Sequence, residues 1–81
     1  MADPHDVAGT KLVRSTFARR GIDTSRADLR VLHGVAYIRG TIGVVRGSGI
    51  TDLRAETEHI ARILRQKPGI RDVVLDCAYR T

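Results

Sequence analysis

The sequence predicts an α+β fold of order α-β-β-α-β, a small module with two helices packed on one face of a three-stranded mixed sheet. Three observations carry this. Two stretches repeat apolar residues three and four positions apart, the helical period. Two β-rich runs meet at His33-Gly34, a two-residue turn signal with glycine at a position that needs positive φ. The final stretch alternates Val73, Leu75, Cys77 and Tyr79, the period of a strand.

Residues 1–5 carry Pro4 and no periodicity and are expected to form a flexible lead-in, with Asp6 as N-cap. The first helix is predicted over 7–20, with Ala8, Leu12, Val13, Thr16 and Phe17 on one face and Lys11, Arg14 and Arg19 on the other. Gly9 weakens its first turn, and Gly21-Ile22 is a stop signal. After the polar connection Asp23-Thr24-Ser25-Arg26, a hairpin closing at Leu32 and Val35 pairs Val31 with Ala36, Arg30 with Tyr37, Leu29 with Ile38 and Asp28 with Arg39. Leu29, Val31, Ala36 and Ile38 then share the core face, while Arg30 lies over Tyr37 and Asp28 meets Arg39 outside. Four glycines between Gly40 and Gly49 end the second strand near Ile42 and open a Gly-rich loop over 40–51. Thr51 or Asp52 caps a second helix reaching about Lys67, with Leu53, Thr57, Ile60 and Leu64 inward and a ladder of Arg54, Glu58 and Arg62 outward. Pro68-Gly69 turns the chain into the last strand.

At 81 residues the chain holds one domain, spanning 6–81, with room for a single small core, so help from a partner subunit would be useful. Hydrophobic residues are 42% and charged residues 28%, a balance that supports ordered folding. Fourteen bases against nine acids give a net charge of +5, and twelve of the bases are Arg, so acidic partners fit. The acids are interspersed, however, and no polybasic tail stands out. Cys77 is alone, so no intramolecular disulfide is available, and with no signal-peptide or membrane-span pattern a cytoplasmic protein is expected.

Two candidate surfaces emerge. The sheet face away from the helices would show Arg30, Leu32, Val35, Tyr37, Val74, Asp76 and Ala78, apolar enough to suggest a protein interface formed by the first five. The glycine loop could present the amides of Gly47, Ser48 and Gly49 to an anion, with Arg39, Arg46 and Arg54 supplying charge, against the plainer reading of a flexible connector. The loop has neither a Walker sequence nor a dinucleotide fingerprint. His5, His33 and His59 lack metal-ligand spacing, Cys77 reads as a small core residue, and the serines carry no nucleophile signature. The expectation is a non-catalytic protein with no cofactor, no metal and no small-molecule substrate.

The order of elements resembles a BON domain, a small bacterial module, over about residues 6–79. The resemblance rests on the helix ending before Ile22-Asp23, on Leu29-Arg-Val-Leu-His-Gly-Val-Ala-Tyr-Ile-Arg-Gly40, and on Ala61 through Gly69-Ile70 into Val73. Val44 to about Leu53 is an insertion relative to that pattern. The resemblance implies a binding role, including protein assembly or attachment to an anionic phospholipid surface. A second stretch, Ile42-Gly-Val-Val-Arg-Gly-Ser-Gly-Ile50, is similar to the loop by which KH domains hold nucleic acid, although Gly43 to Gly47 is one residue longer than a GxxG clamp. Three readings therefore stand: a homo-oligomer or protein-docking module using the outer sheet face, RNA or DNA binding through Gly43 to Arg54, and contact with anionic lipid.

Overall fold

The computed structural model describes residues 4–80. Five elements follow the predicted order: α1 (Pro4–Arg19), β1 (Ile22–Leu32), β2 (Val35–Val44), α2 (Leu53–Arg65) and β3 (Asp72–Arg80). Helix α1 is described from Pro4, earlier than expected, so Asp6 lies within its first turn and is not the N-cap; proline is tolerated there because it loses no intrahelical bond in the first turn and has its φ already set. Of the predicted lead-in, residues 4 and 5 are therefore helical, and residues 1–3 lie outside the described residues. Val13 and Phe17 are buried as the periodicity requires, but Ala8 is exposed and Gly9 faces inward in its place. A Cβ on Gly9 would stand 3.2 Å from Val31 Cγ1, so the glycine lets α1 approach the sheet closely.

The sheet order is β1-β2-β3, antiparallel between the first pair and parallel between the second. The hairpin register is the predicted one, from Leu32 opposite Val35 to Asp28 opposite Arg39. His33 and Gly34 both take positive φ, 52° and 79°, which matches the right-handed twist of the strands they join.

Both strands are longer than the sequence suggests. β1 begins at Ile22 and absorbs the polar connection through an irregularity between Asp23 and Arg26, where the Asp23 carboxylate accepts the Ser25 N–H at 2.9 Å. β2 continues through Gly40 and Gly43 to Val44, which shortens the loop to 45–52. Gly40 does not break the strand. A Cβ there would lie 2.7 Å from the Arg26 carbonyl oxygen, so this glycine marks a close approach of two backbones.

Asp52 caps α2, accepting the Ala55 N–H at 3.0 Å. The helix buries Leu53, Thr57, Ile60, Ala61 and Leu64 and ends at Arg65, two residues before the predicted Lys67. This crossover returns the chain beside β2 as a parallel strand. The core lies between the helices and one sheet face, centred on Phe17, Ile38, Ile42, Ile60 and Leu64. Among the described residues the opposite face carries no helix.

Candidate functional site: an uncovered sheet face

The structure brings the five predicted interface residues together. Pairing sets Leu32 beside Val35, Arg30 beside Tyr37, and Tyr37 beside Val74, so they form adjoining rows on the face turned from the helices. Leu32 is 48% exposed and Val74 37%, which makes them two of the most accessible large apolar side chains among the described residues. The neighbouring row is Asp28, Arg39 and Asp76, alternating in charge across the three strands.

The charged contacts differ from those expected. The Arg39 guanidinium, rather than Arg30, lies over Tyr37, 5.1 Å from the ring centre, and Arg30 approaches Asp28 at 4.0 Å. Residues two apart on one strand share a face, so each Arg has a neighbour on its own strand within reach and does not need the cross-strand one.

The predicted anion-binding residues do not converge. Arg46, Gly47, Ser48 and Gly49 lie in the loop before α2, which folds onto the α1–β1 corner: Val45 donates to the Gly21 carbonyl at 2.8 Å. The Ser48 N–H is committed to the Val45 carbonyl at 3.0 Å, and the Ser48 hydroxyl accepts from Ile50 N–H at 3.4 Å. The N-terminus of α2 is occupied by the Asp52 carboxylate. Beside it opens a cleft of about 590 Å³ lined by Arg19, Arg20, Ser48 and Gly49 but also by Asp52 and Glu56. Arg20 pairs with Glu56 there at 3.0 Å, so acids offset the bases. Arg39 is on the outer sheet face, whereas Arg54 lies 4.9 Å over the ring of Tyr79 on the helix side, and the sheet separates them.

Several residues that position this surface have no isolated signal in the sequence. Asp6 accepts from the N–H groups of His33 and Gly34, and Thr10 accepts the Val31 N–H at 3.1 Å, so α1 grips the hairpin end of β1. At the start of β3, Arg65 donates to the Asp72 carboxylate at 3.2 Å and to the Val73 carbonyl at 3.0 Å. The Val73 N–H and then the Arg65 guanidinium hold the Asp72 carboxyl below its ordinary range. Partners separated by many positions carry no local periodicity to announce them.

Leu75, Cys77 and Tyr79 are half-buried on the helix side of β3. Partial burial pushes the Cys77 thiol up, away from the thiolate form. Burial likewise raises the Tyr79 hydroxyl. Among the described residues no cluster of His, Cys, Asp and Glu is gathered in a form that could hold a metal ion, and no helix is long and apolar enough to cross a membrane. No family model matches the chain, and neither a curated protein nor a solved structure matches it.

Proposed function

We propose that this chain is a binding and assembly module that associates with a second copy of itself through the outer sheet face, without catalysis. The observation that carries the reading is the continuous surface formed by Leu32, Val35, Tyr37 and Val74, rimmed by charges of both signs and covered by neither helix. An uncovered apolar sheet face is an unfavourable water-facing surface for so small a domain, and a partner removes it. The reading of the glycine loop as a nucleic-acid or phospholipid contact draws less support, because Asp52 and Glu56 share the cleft with Arg19 and Arg20.

Size-exclusion chromatography with light scattering, over a range of protein concentrations and at low and high salt, tests this. The expected result is a mass above one chain that survives high salt and that Tyr37→Asp reduces, since a carboxylate at the centre of the patch would be desolvated without a partner. A mass unchanged by Tyr37→Asp at high concentration would remove the face from the assembly. Association lost in salt and abolished by Arg46→Glu would favour the anion-binding reading.

A further inference from the structure

The two edges of the sheet are not equivalent. A two-residue turn makes Leu32 and Val35 a hydrogen-bonded pair, so Ala36 and Ile38 turn their amides and carbonyls away from β1 toward β3. Ala36 is abreast of Val73, which means that the even-numbered residues of β3 answer β2 and the odd-numbered ones point outward. The outward groups of Val73 are occupied, the carbonyl by Arg65 and the N–H by the Asp72 carboxylate at 2.8 Å. Those of Leu75, Cys77 and Tyr79 accept or donate no hydrogen bond among the described residues. On the far edge, β1 is blocked near both ends: Thr10 takes the outward N–H of Val31, Asp6 takes that of His33 in the turn, and the irregularity between Asp23 and Arg26 twists the other end, which leaves only the outward groups of Ala27 and Leu29 between them. β3 therefore carries the longer open stretch of edge, over its C-terminal half.

We propose that this half of β3 pairs antiparallel with β3 of a second copy, about a two-fold axis at Ala78, joining two sheets side by side into one. The inference rests on the self-association reading and adds to it a second, separate contact between copies: sheets joined side by side turn both outer faces the same way, so the face and the edge engage different neighbours. Its register follows from what each alternative would juxtapose. The Arg65 clamp at Val73 blocks registers centred toward the start of the strand. Centring on Cys77 sets Asp76 against Ala78 and Arg80 against Val74, which leaves both charges without a direct partner. Centring on Ala78 sets Asp76 opposite Arg80 twice, places the two small Ala78 side chains on the axis, and lets Cys77 and Tyr79 exchange backbone hydrogen bonds. The even-numbered pairs are then of the close, non-hydrogen-bonded kind, in which side chains interact most strongly. A two-fold contact requires such self-complementarity, and Asp76, Ala78 and Arg80, all exposed in one chain, supply it. The pairing also covers the half-exposed strip of Leu75, Cys77 and Tyr79.

The test uses charge exchange. Asp76→Arg alone and Arg80→Asp alone each set like charges opposite at both ends, and each is expected to weaken edge pairing by about tenfold or more. An equal mixture of the two variants, one carrying a mass tag, restores both attractive pairs, so native mass spectrometry should show the mixed dimer in excess over either homodimer. A second readout is Ala78→Cys in a Cys77→Ser background. Two such residues on the axis lie within disulfide reach and should link on mild oxidation, whereas Arg14→Cys on exposed α1 in the same background should not. Tyr37→Asp removes the face contact and should leave this cross-link in place, so failure of the face and failure of the edge are read separately. A mixture with no excess of mixed dimer, or linking at Arg14→Cys as fast as at Ala78→Cys, overturns the proposal.

Discussion

The carboxylate of Asp6, in the first turn of α1, accepts the N–H of Gly34 at 3.2 Å and that of its neighbour His33 at 3.0 Å, across 28 positions of sequence in the longer case. One side chain thereby holds the hairpin turn against the helix. It also satisfies two amides that the turn itself leaves unpaired. Asp6→Ala should lower the free energy of unfolding by roughly 0.5–1.5 kcal/mol, the net worth of an ordinary hydrogen bond, because the exposed His33 N–H can turn to water and only the Gly34 N–H is partly buried. Asp6→Asn retains one acceptor oxygen and should recover part of the loss. Urea denaturation of the three proteins checks this, together with faster amide exchange at His33 and Gly34 in the alanine variant. Equal stability of all three would show that the contact contributes nothing.

Gly40 gives a sharper test of how the strands meet. Its φ of +87° disfavours any L side chain, and a Cβ would press on the Arg26 carbonyl, which belongs to backbone and cannot swing away. Gly40→Ala is expected to destabilise the fold by roughly 2–4 kcal/mol, combining left-handed strain with the contact. Gly47→Ala has the same class of backbone strain but open space around it, so it should lose only the conformational part. If the two substitutions proved equally costly, the close approach of β1 and β2 at Gly40 would not be the reason for that glycine.

Asp72 links stability to pH. Its carboxyl titrates below the ordinary value of 3.8, held down first by the Val73 N–H and then by Arg65. A carboxyl whose folded value is depressed adds stability above its unfolded value and loses it as pH falls through the folded one. Wild type should therefore melt higher than Asp72→Asn near neutral pH, and the gap should close as pH falls through and below the ordinary carboxylate range. The group is exposed, so the gap will be small. Thermal melts at several pH values measure it, and a gap that persists in acid would mean that the carboxylate charge is not its source. Asp23, lowered by the Ser25 amide, should add to the acid sensitivity in the same direction.

The local parts of this fold were legible because their signals are short-range. Alternation and a two-residue turn determine the pairing of Leu29, Val31, Ala36 and Ile38, since a slip by one position would turn every apolar side chain to water. The stripe of Leu53, Thr57, Ile60 and Leu64 determines which side of α2 is buried for the same reason. From these two patterns the apolar outer face followed as the remainder. Other features had no short-range signal. Gly40 and Gly43 read as a break in β2, because a glycine that ends a strand and one that admits a neighbouring backbone are identical until the neighbour is in place. The partners of Arg30 and Arg39 depended on which side chains share a face at short range. Whether Gly47, Ser48 and Gly49 could cradle an anion depended on Asp52 and Glu56 arriving beside Arg19 and Arg20. The open edge of β3 is likewise a tertiary property: a strand's outward amides become available or protected according to what packs beside them, and Asp6, Thr10 and Arg65 reach their targets through packing that no run of consecutive residues encodes.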